Sequence, residues 1–186
     1  MNKRLGASLI PIVAGVTFTL IFQGRSDLKT KKSQGETEVV DLLLPAGVVE
    51  ARGRARLLHE TIHGTLQLVH RDFFDPNDHD FIPSATLEEV FKDLAISQKV
   101  EVRWLGVEGK TMNVDHKPQD DFERKAVDAL RVGKDEFEMV DEGRFRRAAP
   151  ITLHNVCLKC HVPGRTSLED RVAGLVISMP LKKKEK

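Results

Sequence analysis

Cysteine is nearly absent from this chain: 186 residues hold two, Cys157 and Cys160. A bridge between them would close too short a loop to stabilise the fold much. No second C-x-x-C is present to complete a structural zinc site, and His154 with His161 could supply the missing ligands only by crowding all four into one short stretch. An excess of charge of one sign is lacking too: 29 Lys and Arg stand against 28 Asp and Glu, a formal net charge of +1. With no basic stripe and no acidic tract, the charge pattern argues for neither a nucleic-acid partner nor disorder. A third absence is local. After Lys3 and Arg4, no charged residue occurs from Leu5 to Gly24, a run long enough as a helix to cross most of a bilayer. Its exit, Ile21-Phe22-Gln23-Gly24, has no small-x-small cleavage site, so residues 1–24 are expected to be an uncleaved signal anchor that leaves the rest outside the cytoplasm.

What the two cysteines do form is Cys157-Leu158-Lys159-Cys160-His161, the C-x-x-C-H attachment signal of a c-type haem. Each thiol can add across one vinyl group of the same porphyrin, and the following imidazole can then ligate the iron. Cys157 and Cys160 are therefore the expected covalent links of a single haem c, and His161 the expected proximal ligand. A thioredoxin-type dithiol usually opens a helix early in a βαβ unit, whereas this motif lies near the C-terminus. Export and c-type attachment agree, because such haem is attached outside the cytoplasm.

The exported part reads as a polar linker over residues 25–40, a domain over 41–181 and a basic tail over 182–186. From about Asp41 to Phe74 the pattern is helical, with Leu58, Ile62, Leu66, Val69 and Phe73 as one apolar stripe and residues 75–78 as a turn. Thr86-Leu87-Glu88-Glu89 has the form of a capping box opening a second helix through Ala95. Val100 to Trp104 alternates like a half-buried strand. A loop over 106–118 leads to a helix over 119–132, stopped by Gly133. Glu136–Val140 and Arg144–Ile151 read as a hairpin about Glu142-Gly143, and Arg171–Pro180 as a buried last strand. Helices in front of short antiparallel strands make an α+β domain.

The order of these features, with Ile82-Pro83-Ser84, the Val-Glu-Val-Arg-Trp strand, the loop around Asn113, Pro118-Gln119-Asp120, Arg146 to Ile151, the haem motif and the closing Ala173 to Pro180, resembles the Tll0287-like (DUF3365) c-type haem domain over roughly residues 52–181. The resemblance implies a PAS-like antiparallel sheet with N-terminal helices. It also implies a role as an anchored protein or as the extracytoplasmic input of a signalling protein, with Cys157 and Cys160 on the porphyrin and His161 on iron.

Two functional classes follow. One is a membrane-tethered haem domain that senses redox state or a small gas, or passes single electrons to a redox or signalling partner. The other is a haem enzyme such as a peroxidase, with an open iron site and distal groups drawn from Arg144, Arg146, Arg147 and His154, although those groups read more readily as strand charges facing solvent. A zinc or dithiol structural domain remains the non-haem alternative. The iron's sixth ligand separates the first two. His59, His63 and His70 fall within about 40° on the first helix, and His63, beside Gly64, is the favoured distal ligand of the three. Met112, His116 and Met179 lie outside that stripe.

Overall fold

The computed structural model describes residues 43–75, 82–109, 113–162 and 166–183, without the side chains of Lys159 and Cys160. The expected anchor and linker lie outside these residues. No helix among those described is long and apolar enough to cross a membrane.

The described part is an α+β domain on a four-stranded antiparallel sheet in the order β1-β4-β3-β2. In chain order it comprises α1 (Val48–Phe73), α2 (Pro83–Gln98), β1 (Glu101–Leu105), a 3-10 turn (Val114–His116), α3 (Asp121–Arg131), β2 (Phe137–Asp141), β3 (Arg144–Leu153), α4 (Asn155–His161) and β4 (Arg171–Pro180). Glu142 and Gly143 join β2 to β3 with φ of 47° and 76°, the paired positive values that match a tight hairpin to strand twist. β4 is central and covered on both faces, so its middle is a continuous apolar run.

Strand alternation divides the core between the two faces. Val102, Trp104, Phe145, Ile151, Leu175, Ile177 and Met179 point to the face covered by α1 and α2. Leu105, Ala148 and Val176 meet Phe122, Ala126, Val127 and Leu130 of α3 on the other. Gly174 sits where a Cβ would come within 3.2 Å of both Leu105 and Leu130, so a larger residue there would push β1 and α3 off the sheet.

Several boundaries differ from the sequence expectation. The long helix α1 begins at Val48 after Gly47 and does not run unbroken from Asp41, because residues 44–47 separate it from the helical Leu43. Its fully buried positions are Ala51, Ala55, His59 and Ile62; Leu58 and Leu66 pack beside them, and Phe73 is 82% exposed. Small alanines let the helix approach the sheet closely, so the buried line runs nearer the histidines than a count of large apolar residues suggests. The second helix starts at Pro83, with Ile82 at the N-cap position and no side-chain cap. Thr86 is inside it, donating to Ile82 O at 3.3 Å, because Pro83 offers a preset φ three residues before the expected capping box.

Candidate functional site

The hairpin partner β2 ends its pairing at Phe137 opposite Ala148, while β3 runs on to Leu153. The carbonyls beyond Ala148 on that edge need donors, and α1 supplies them. His59 Nε2 donates to Pro150 O at 3.0 Å, and Gln67 Nε2 to Thr152 O at 2.8 Å. Gln67 Nε2 also lies 3.3 Å from His63 Nε2, which accepts because an amide nitrogen can only donate. The first two histidines of the stripe are thus occupied in seating α1 on the sheet, and their rings lie 5.6 Å apart.

His70, two turns further on, is different. Its ring stacks on Phe74 with centroids 4.3 Å apart, and its Nδ1 is buried without a hydrogen-bond partner. Burial holds its pKa below the usual histidine value, against a smaller opposing effect of its own backbone.

The extended end of β3 turns at His154 directly into α4. The sequence left the C-x-x-C-H stretch without secondary structure; here it is helical, and positions 157, 160 and 161 fall within an arc of about 100°. Cys157 is buried at 8% exposure and Leu158 completely, packed with Leu153. His154, ahead of the helix, pairs through Nδ1 with Asp170 Oδ2 at 2.9 Å. Between the last turns of α1 and the start of α4 opens a cleft of about 330 Å³, lined by Gln67, Leu68, His70, Arg71, His154, Val156 and Cys157.

His161 closes α4. Burial keeps its pKa below normal, and His70 and His116 are near enough that any positive charge on them lowers it further. Both effects favour the neutral imidazole, the form that can ligate a metal. Behind it the chain after β1 folds back: Glu108 N donates to Val172 O at 3.0 Å and Val172 N to Glu108 Oε2 at 2.8 Å. This clamp brings Gly109, at φ +77°, so close that a Cβ there would stand 3.2 Å from Val162 and 3.5 Å from His161 O. Nothing in the sequence marks Glu108 and Gly109, because a lone glycine in a loop carries no signal of what approaches it.

The other candidate positions lie elsewhere. His116 Nε2 is 3.0 Å from Glu88 Oε1. Arg144 pairs with Glu101 at 2.8 Å. Arg146 pairs with Asp120 at 2.6 Å and covers the Phe122 ring at 4.2 Å. Arg147, only 5% exposed, is bound to Glu136 at 2.8 Å, so it does not face solvent as a strand charge would. None of the three lines the cleft beside Cys157. Met179 is buried in the core between sheet and helices, and Met112 lies outside the described residues. Among the described residues no three His, Cys, Asp or Glu side chains come close enough to hold a single bare ion.

A family model, Tll0287-like, matches residues 47–175. The chain belongs to the Tll0287-like family. A solved structure titled as that of the cyanobacterial haem-protein Tll0287 superposes with a TM-score of 0.53 at 16% identity, covering 75% of this chain and 100% of that one. At that identity the likeness concerns the fold. No curated protein matches the chain.

Proposed function

We propose that this chain is a monohaem c-type cytochrome-like domain, tethered by residues 1–24 on the extracytoplasmic side of the membrane, that senses redox state or a small gas or passes single electrons. The observation that carries the reading is the placing of positions 157, 160 and 161 on one short helix whose Cys157 borders a cleft lined on its far side by His70. Two thioethers and an imidazole from one face of a helix fit a single porphyrin edge and its iron. Membership in a family whose solved neighbour is titled a haem-protein supports it, as does the antiparallel sheet with helices ahead of it that the family resemblance implies. Bound there, haem would supply a one-electron iron couple and an axial site for small ligands.

The chain's own residues do the holding. Cys157 and Cys160 would fix the macrocycle, and His161 would be the proximal ligand, its neutral form favoured by burial. Gly109 and the Glu108 clamp support the end of α4 from behind. The enzyme alternative draws less support, because Arg144, Arg146 and Arg147 are committed to carboxylates away from the cleft and His154, which does line it, is paired with Asp170.

The test uses the full chain made with c-type maturation factors. Membranes washed in high salt should hold a protein that keeps a haem stain in a denaturing gel, with its domain open to external protease in spheroplasts. Cys157→Ala with Cys160→Ala should abolish the stain. An unchanged stain in that double variant sinks the covalent assignment; a soluble stained protein sinks the anchor alone.

A further inference from the structure

Resting on the haem reading above, we propose that His70 supplies the second axial ligand to the iron whose first is His161, leaving the iron six-coordinate and closed to exogenous ligands at rest. Three observations on α1 separate His70 from its neighbours in the stripe. His59 is 4% exposed and its Nε2 is bound to Pro150 O. His63 Nε2 accepts from Gln67, whose amide is itself tied to Thr152 O. Releasing either ring would uncover carbonyls or an amide that hold α1 to the sheet. His70 holds nothing in place: its ring touches Phe74, and its buried Nδ1 has no hydrogen-bond partner.

A buried ring nitrogen with no partner carries a desolvation cost that folding alone does not offset. Coordination offsets it, since a metal takes the lone pair of a neutral ring nitrogen. The location agrees. Of the three stripe histidines, His70 alone lines the cleft bordered by Cys157, the residue that would carry one edge of the porphyrin. His161 lies within electrostatic reach of the same ring. His116 is the other imidazole near His161, but its Nε2 is engaged by Glu88 and it lines a separate groove beside β1 and α2. The apolar neighbours Leu68, Val156 and Phe74 are suited to lie against a macrocycle.

The ligand identity fixes the working mode. Two strong imidazole ligands make an outer-sphere electron acceptor or redox sensor, whereas gas sensing would require His70 to leave the iron. Because His70 lies in the last turn of the helix, its release would cost little of the packing held further back by Ala51, Ala55 and Ile62.

Full-length protein matured with haem is compared as wild type and as His59→Ala, His63→Ala, His70→Ala and His116→Ala, by oxidised absorption and electron paramagnetic resonance spectra and by carbon monoxide binding to the reduced form. The wild type is expected to be low-spin and slow to bind carbon monoxide. Only His70→Ala should turn high-spin and bind it rapidly, and added imidazole should restore the low-spin spectrum, which loss of folding could not produce. His70→Met serves as a second variant and should give a low-spin spectrum distinct from wild type. A high-spin wild type, a low-spin His70→Ala, or conversion instead by His63→Ala or His116→Ala overturns the assignment. In each of those outcomes the gel stain persists, which separates this failure from failure of the haem reading, where the stain itself is absent from the wild type.

Discussion

Glu136, just ahead of β2, joins α1 to the sheet, and its replacement by glutamine has a consequence that depends on pH. Arg56 of α1 reaches it with Nη2 and with Nε at 3.2 Å, and Arg147 of β3 with Nε at 2.8 Å. The Arg56 hydrogen bond is the largest cause holding the Glu136 pKa at about 2 instead of 4.5, with burial opposing and Arg147 assisting. Linkage turns that separation into about 3 kcal/mol as an upper bound. Because the Arg56 side chain is 54% exposed, solvent screening reduces the figure to about 1–2 kcal/mol.

The depressed pKa sets the sign. The contribution is fully present above pH 4.5, the unfolded value, and is lost as pH falls from there towards 2. Urea unfolding of wild type and Glu136→Gln at pH 7, 4.5 and 3 is the assay. At pH 7 the variant is expected to be less stable by about 1–2 kcal/mol, towards the upper end because it leaves the nearly buried Arg147 with Glu138 at 4.0 Å as its remaining carboxylate. The two curves should converge as pH falls through 3, where the wild-type carboxyl also begins to lose its charge. Other acids with lowered pKa, such as Asp120, affect both proteins equally and cancel in the difference. A gap as wide at pH 3 as at pH 7, or none at pH 7, refutes the reasoning.

Gly109→Ala should cost about 1–2 kcal/mol in urea unfolding, because alanine is strained at φ +77° and its Cβ meets Val162; a variant as stable as wild type would show that the loop relaxes away from α4. His59→Ala removes the donor to Pro150 O from a buried site and should cost about 1–3 kcal/mol, read by the same assay, while leaving the haem spectrum unchanged if its part is to hold α1 alone.

The strands were legible because their cores alternate. Val102 and Trp104 are buried while Glu101 is exposed, as the period of two requires, and β4 spans the expected Arg171–Pro180. Asp120 caps α3 by accepting from Glu123 N at 2.9 Å, one residue after the expected start, and Gly133 ends it with φ +81°. The misread elements have separate causes. In α1 the deepest positions include Ala51 and Ala55, residues too small to register as an apolar stripe although they decide how near the helix comes to β3 and β4. In α2 the local capping pattern at Thr86 was outcompeted by Pro83. Arg147 faces the α1 layer with Phe145 and Ile151, where alternation alone suggests an apolar side chain; Glu136 and Glu138 of the neighbouring strand region make its burial tolerable.

The candidate site was legible in composition and not in geometry. Two cysteines and a histidine in five residues carry their own chemistry, so Cys157, Cys160 and His161 need no fold to be singled out. Choosing among His59, His63 and His70 does need one, because helical periodicity puts all three on one edge and cannot say where the sheet beneath that edge ends. It ends unevenly. β2 stops pairing at Ala148 while β3 continues, so unpaired carbonyls take the hydrogen bonds of His59 and Gln67, and His63 is tied to Gln67. Past Leu153 the strand gives way to α4, and the histidine above that point meets a cleft instead of a backbone edge. The same step from strand to helix thus releases one imidazole from structural duty and sets the C-x-x-C-H helix beneath it, so lengthening β2 to pair with Pro150 would be expected to free His59 without moving His70.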